Sequence, residues 1–259
     1  MNLSAVLITR NEEDKIGSCL KNLSFCDEII VVDSGSTDGT VAGAERHGAR
    51  VVVKPFVDFA SQKNFAVAQA RGEWILSVDA DEIVTPALRE EIRGCLERPS
   101  AAAYSLVRRN FIFGKRLRFG GSGHDEPVRL FRKGRARFEG LVHETLRVDG
   151  AVGRLTAPLL HYSTADVRSF FRKLSLYAEL EARSLVRGKA GMPLSSRGLW
   201  KPVGRFSQRY FIWGGFLDGA PGFIFAVLSG YYEFVREAIF WEMQEGFFDR
   251  INGNFQKRR

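Results

Sequence analysis

Short apolar runs rich in β-branched residues alternate with stretches of helical periodicity from Leu3 to about Ser105. The runs Ala5–Ile8, Glu28–Val32, Val51–Val53, Trp74–Val78 and Ala102–Val107 predict five strands. Between them, Ile16, Cys19, Leu20 and Leu23 fall on one helical face, and Leu88, Ile92, Cys95 and Leu96 do the same in a helix opened by Thr85-Pro86. His47-Gly48 and Arg71-Gly72 mark the ends of two more helices. This alternation predicts an α/β domain with a mixed, mostly parallel sheet and helices on both faces.

After Val107 the pattern turns into a basic, glycine-containing stretch from Arg108 to Gly123, followed by an apolar run Val128–Phe131 and a hairpin turn at Lys133-Gly134. This reads as the second half of the same domain, with room for a partner or an acceptor. The expected organisation is one domain over 1–164, with a first half to about 107 and this acceptor half from about 108, then a helical extension over 165–259. In the extension Val167, Phe170, Phe171, Leu174, Tyr177 and Ala178 make one helical stripe, Gly188 to Gly198 reads as a linker, and Leu199 to Phe248 is rich in aromatics. The longest apolar stretch, Ala220 to Tyr232, is interrupted by Pro221, Gly222, Ser229 and Gly230 and falls short of the ~20 apolar residues of a membrane span.

With 259 residues and 45% hydrophobic content the chain has material for a substantial core, which excludes disorder. A formal charge of +8 favours anionic partners. In the extension, aromatics such as Trp200, Tyr210 and Trp213 are interspersed with Lys201, Arg205, Arg209 and Arg236, which predicts shallow contact with an anionic membrane surface; a helical hairpin packed on the fold is the alternative. The three cysteines form no metal or disulfide framework and fit a reducing compartment. The opening run meets charge at Arg10-Asn11-Glu12, too soon for a signal peptide, so the expected location is cytoplasmic and peripheral on the inner face of the membrane.

Chemistry concentrates where predicted strands end. Ile75-Leu76-Ser77-Val78 runs into Asp79-Ala80-Asp81-Glu82, carboxylates that cost stability unless they are paired or hold a cation. A hard divalent ion is typically held by one or two carboxylates together with substrate phosphates, and ligands of open α/β sheets sit at the carboxyl ends of the strands. The first strand ends in Thr9-Arg10-Asn11-Glu12 and the second in Asp33-Ser34-Gly35-Ser36-Thr37-Asp38-Gly39, small and acidic residues suited to an anion, a ribose or a base. Turn formation and helix capping explain any one of these ends; three on one edge point to a nucleotide site.

These pieces resemble the family-2 glycosyltransferases of the GT-A fold. The likeness is carried by Val6-Leu7-Ile8-Thr9-Arg10-Asn11-Glu12, by Ile29 to Thr40 and by Val78-Asp79-Ala80-Asp81-Glu82. Asp58-Phe59-Ala60-Ser61-Gln62-Lys63-Asn64, Arg129-Leu130-Phe131-Arg132-Lys133-Gly134 and Val142-His143-Glu144 are similar to the bacterial lipopolysaccharide-core β-1,4-glucosyltransferase group. The resemblance implies an inverting, Mg²⁺- or Mn²⁺-dependent transfer from a nucleotide-sugar donor, a uridine diphosphate sugar, to a saccharide or lipid-linked saccharide acceptor. It implies a nucleotide pocket of Thr9, Asn11, Glu12, Asp33 and Lys63, with Asp79 at the ribose and Asp81 at the metal.

Inversion by single displacement needs one general base at the acceptor hydroxyl. Asp125, Glu126 and Glu144 are the candidates. His143 is a candidate metal ligand beside Asp81, and His161 a weaker rival. No Gln-x-x-Arg-Trp element is present, which fits addition of one sugar without processivity. Transfer to a polyprenyl phosphate is the alternative activity. Nucleic-acid binding is disfavoured, because carboxylates at the strand ends repel phosphate unless a cation intervenes.

Overall fold

A computed structural model describes residues 2–123, 125–140, 144–164, 166–187 and 196–244. The chain divides into two compact units, Met1–Phe111 with His124–Ser163, and Ile112–Gly123 with Thr164–Arg259. The segment 112–123, read from sequence as acceptor half, thus belongs with the C-terminal helices.

In the first unit, β1 (Leu3–Thr9), α1 (Glu13–Lys21), β2 (Glu28–Asp33), α2 (Thr40–Arg46), β3 (Arg50–Val53), α3 (Phe59–Gln69), β4 (Trp74–Ser77), β5 (Glu82–Val84) and α4 (Pro86–Glu97) follow one another. Next come β6 (Ala103–Ile112), the two-residue β7 (Lys115–Arg116) of the other unit, β8 (Val128–Arg132), β9 (Ala136–Glu139), β10 (Thr145–Val148) and β11 (Val152–Thr164). The main sheet has the order β3-β2-β1-β4-β8-β6-β11-β5. Its first four strands are parallel, whereas β8 runs antiparallel to β4 and β6, and β5 antiparallel to β11. A separate ribbon pairs β9 with β10.

Side-chain alternation along the strands feeds two cores, one on each face. Leu3, Leu7, Val31 and Leu76 pack with Ile16 and Leu20 of α1 and Leu88 and Ile92 of α4. Val6, Ile30, Val32 and Ile75 pack with Ala60 and Ala66 of α3 and with Phe131 and Phe138. The order reverses at β1, whose chain neighbour β2 lies on one side and β4 on the other, so the crevice of an open α/β sheet opens beyond β1 and β4.

The five predicted strands are present, and the longest extension is in β6, which continues past Val107 to Ile112. Arg108 and Asn110 end the apolar alternation because they face a polar cluster, while the backbone ladder continues. Gly48 closes α2 at φ 77°, as its position predicts. Helix α3, by contrast, stops at Gln69, with Ala70 already extended. Gly72 serves a close approach instead: its N–H donates to Ser4 Oγ at 2.9 Å, and a Cβ there would lie 2.8 Å from the Ser4 nitrogen.

The second unit contains α5 (Val167–Arg187), α6 (Ser196–Ser207), a π-helical turn (Gln208–Ile212), a 3₁₀ turn (Gly215–Asp218) and α7 (Ala220–Gln244). Most of the expected linker lies outside the described residues, and its last residues already belong to α6. The interrupted apolar stretch forms part of one long helix. Pro221 stands in its first turn, where no intrahelical N–H is needed, and Gly230 lets the backbone approach α6, a Cβ there falling 2.7 Å from the Pro202 carbonyl oxygen. No helix among the described residues is long and apolar enough to cross a membrane. The basic residues expected at a headgroup layer are engaged within this unit: Lys201 pairs with Glu237 at 2.8 Å and Arg205 with Glu233 at 2.8 Å, and Arg209 donates to the Gly120 carbonyl at 2.7 Å.

Candidate active site

The three acidic strand ends lie along the carboxyl edge of the parallel strands, as their register requires. Asp33, at the end of β2, pairs in the ladder with Thr9 of β1 and is 1% exposed. Its Oδ1 accepts from Thr9 Oγ1 at 3.1 Å and from the Ser36 hydroxyl, and its Oδ2 accepts from the N–H groups of Gly35 and Ser36 at 2.9 and 2.8 Å. Asp33 therefore shapes the turn after β2. Asn11 adopts φ 54°; its N–H donates to Ser36 Oγ and its Oδ1 accepts from the Thr37 N–H, both at 2.8 Å. Glu12 opens α1, with its N–H bonded to Thr40 Oγ1 at 2.8 Å and its carboxylate to Lys15 at 2.9 Å. Thr9, Asn11, Glu12 and Asp33 are thus knitted into one loop pair.

Beyond β4 a chain of alternating charges begins. Asp79 accepts from the Arg129 guanidinium and pairs at 3.2 Å with Lys63, which the first turns of α3 bury to 6% exposure. Lys63 also pairs with Glu144 at 2.6 Å. Glu82, wholly buried, uses one oxygen to accept from Arg129 at 2.7 Å and Arg108 at 2.9 Å, and the other to accept the Asp79 N–H at 3.0 Å. Arg108 continues to Asp125 at 2.7 Å. Glu144, Lys63, Asp79, Arg129, Glu82, Arg108 and Asp125 so form one continuous line. Glu126 stands apart from that line, in a two-pronged pair with Arg154 at 2.7 Å.

A second path joins the ends of the site. Asn110 Nδ2 donates to Asp125 Oδ2 at 3.1 Å, which turns Asn110 Oδ1 toward His161 Nδ1 at 2.7 Å. An amide oxygen only accepts, so His161 carries its proton on Nδ1. Its Nε2 then faces Asp81 Oδ1 at 3.4 Å. Two electron-pair donors held face to face call for a proton or a cation. An imidazole whose other nitrogen is anchored beside a carboxylate is the usual form of a metal-ligand pair, so these residues fit a divalent cation. The Asp81 backbone is fixed separately, its carbonyl accepting from the Tyr162 N–H at 2.8 Å. Among the described residues no cluster of three metal-ligating side chains occurs, and His143 lies outside the described residues.

Sequence reasoning singled out Asp79, Asp81, Lys63, Glu144 and Asp125, and the fold brings them into one polar network. It passed over Arg129, Glu82, Arg108 and Asn110, and ranked His161 second. One signal was available: Arg129 interrupts an otherwise apolar strand and is 6% exposed, and a buried arginine requires buried acids.

The network sets a pH dependence. Burial raises the Asp79 pKa, but Arg129 and Lys63 outweigh it and hold the carboxyl well below the usual carboxylate range. For Glu28 burial is likewise outweighed, by the Arg71 N–H and Ser4, and for Glu91 by the N–H groups of Thr156 and Ala157. Depressed folded-state values stabilise fully above the unfolded value of about 4 and lose that stabilisation as pH falls further. We expect the melting temperature to be level between about pH 5 and 7 and to fall steadily below about pH 4; thermal melts followed by circular dichroism check this, and a level profile to about pH 2 would contradict it.

A four-strand parallel half ends in an Asp-x-Asp, and an antiparallel half supplies the site's arginines, asparagine and histidine, an arrangement that fits the GT-A fold. The family model described as glycosyl transferase family 2 matches residues 4–153, and the chain belongs to that family. Over 246 residues it is 32% identical to the lipopolysaccharide core biosynthesis glycosyltransferase LpsC of Rhizobium meliloti (strain 1021), covering 91% of this chain and 90% of that protein. An uncharacterized glycosyltransferase of Rickettsia conorii is 30% identical, with 90% and 88% covered. Among crystal structures, S. aureus TarS 1–349 aligns at TM-score 0.49 and 15% identity over 96% of this chain and 92% of that one. Mycobacterium tuberculosis glucosyl-3-phosphoglycerate synthase, in complex with Mn²⁺, UDP and glucosyl-3-phosphoglycerate, aligns at TM-score 0.49 and 22% identity over 74% and 82%.

Proposed function

We propose that the chain transfers one hexose, glucose or a close relative, from a UDP-sugar to a lipopolysaccharide-core or other lipid-linked saccharide, with inversion and with Mg²⁺ or Mn²⁺ bound. The observation that carries this reading is the facing pair Asp81 and His161 beside the Asp79 network, at the strand-order reversal. The similarity to LpsC over nine-tenths of both chains supports the acceptor class. Asp81 and His161 would hold the cation beside the donor's diphosphate. When bound, the cation neutralises charge developing on the leaving diphosphate. Thr9, Asn11, Glu12 and Asp33 form the nucleotide pocket, and Asp79, held by Lys63 and Arg129, receives the ribose. The site works at the cytoplasmic face of the membrane.

For the base, Asp125 is favoured over Glu126 and Glu144. Its Oδ2 takes the bonds from Arg108 and Asn110, and among the described residues its Oδ1 takes none. One oxygen anchors the carboxylate and the other is left to accept the acceptor's proton. Glu144 is committed to Lys63 and Glu126 to Arg154. Asp125→Asn is expected to lower kcat by about 10²- to 10⁴-fold with donor affinity unchanged, and Glu126→Gln to stay within a few-fold of wild type. Steady-state transfer assays with calorimetric UDP titration measure both. A variant Asp125→Asn that turns over normally would refute the assignment.

Asp33→Ala removes the acceptor of four hydrogen bonds and frees the turn that lines the pocket. Free UDP and UDP-sugar are expected to lose affinity together, by about tenfold or more. Unchanged UDP binding by calorimetry would move Asp33 out of the nucleotide site.

A further inference from the structure

Helix α7 has its polarity reversed relative to a helix bathed in water. Apart from its terminal residues Ala220 and Gln244, every exposed residue is large and apolar. Phe223, Ile224, Val227, Tyr231, Phe234 and Trp241 are 47%, 37%, 42%, 45%, 47% and 37% exposed. At 100° per residue they fall on one stripe that runs the length of the helix. The acids lie on the inner side: Glu233 and Glu237 are 5% and 4% exposed, and Lys201, Arg205 and Arg236 neutralise them.

The stripe continues into the turns before α7. Tyr210 holds the rings of Phe211, Phe216 and Phe223 at 5.1, 6.2 and 5.4 Å, and Phe211 and Ile212 are 60% and 76% exposed. Water-exposed apolar surface of this extent marks a contact with something apolar.

Charge identifies the occupant. Of the chain's 38 basic and 30 acidic residues, 18 basic and 9 acidic belong to the unit of 112–123 and 164–259, and 20 and 21 to the other. The whole positive excess therefore belongs to the unit that carries the apolar stripe. A second copy would set that excess against itself, whereas an anionic bilayer complements both features. We propose that α7 lies flat in the interface of an anionic bilayer, its stripe of Phe223, Val227, Tyr231, Phe234 and Trp241 among the acyl chains. The paired cations Lys201, Arg205 and Arg236 support this face from within by neutralising the acids behind it.

The test is co-sedimentation of the full chain, without donor, with phosphatidylcholine vesicles that do or do not contain phosphatidylglycerol. Failure here would leave the transferase reading untouched, since no donor chemistry is read. Wild type is expected to bind the anionic vesicles at least about tenfold more tightly than the neutral ones. The combined variant Ile224→Glu, Val227→Glu and Phe234→Glu is expected to lose binding by at least about 100-fold with UDP affinity unchanged. The milder pair Val227→Ser and Phe234→Ser, expected to lose about tenfold, serves if the triple variant misfolds. Wild-type binding by the folded serine variant would overturn the proposal. So would a wild type that ignores anionic vesicles but sediments as a dimer broken by the same substitutions, which would make the stripe an interface between two copies.

Discussion

Asp81→Ala is expected to abolish transfer and cation-dependent donor binding while the protein stays folded. The residue's backbone is held by its own carbonyl bond to Tyr162, so the carboxylate can be removed without releasing the strand end. What is lost is one half of the pair with His161 Nε2, the pair proposed to hold a cation against the leaving diphosphate. Loss of that electrostatic stabilisation corresponds to about 10³-fold or more in kcat/KM, roughly 4 kcal/mol of barrier. His161→Ala should act in the same direction, by about 10- to 100-fold. Transfer assays across a Mn²⁺ titration, with thermal melts as the folding control, measure both. Activity of Asp81→Ala within a few-fold of wild type would remove Asp81 from the chemistry.

Arg129→Leu is expected to have the largest effect on stability. The guanidinium, 6% exposed, bridges Asp79 and the wholly buried Glu82. Without it, among the described residues, Glu82 keeps Arg108 and Asp79 keeps Lys63 as charged partners, so the line's four acids face two cations instead of three in a desolvated site. Breaking one side of a buried ion pair costs about 3–5 kcal/mol, about 10 °C in melting temperature for a chain of this size. Adding Glu82→Gln to Arg129→Leu should recover part of the loss, because the orphaned charge goes with it. The double-mutant cycle is the informative measurement: additive losses would mean that Arg129 and Glu82 do not act on each other.

Much of this was legible along the chain because it is local. The alternation of apolar strands and amphipathic helices determined the parallel half of the sheet, since both faces of each strand must be buried. The strand-end residues Thr9, Asn11, Asp33, Asp79 and Asp81 followed, because a parallel sheet puts all such ends on one edge. Strands β5, β9, β10 and β11 were not legible; their alternation is broken by polar residues that face the site or solvent, and β5 pairs with β11, an antiparallel partner distant in sequence.

The pairing of the acids was decided only in three dimensions. Nothing in the spacing of Arg108, Arg129 and Glu82 says that two arginines from neighbouring antiparallel strands converge on one buried carboxylate. Nothing near His161 announces Asp81, because the two are joined by the register of β11 against β5, which sets His161 opposite Glu82. The C-terminal segment divides in the same way. Its composition determined that aromatics and cations gather there, but tertiary packing decided which point inward. Desolvated Glu233 and Glu237 draw Lys201, Arg205 and Arg236 toward them, and Phe223, Tyr231, Phe234 and Trp241 of α7 are left outside. Sequence periodicity reports which residues share a face; which face turns inward depends on where a buried charge finds its partner.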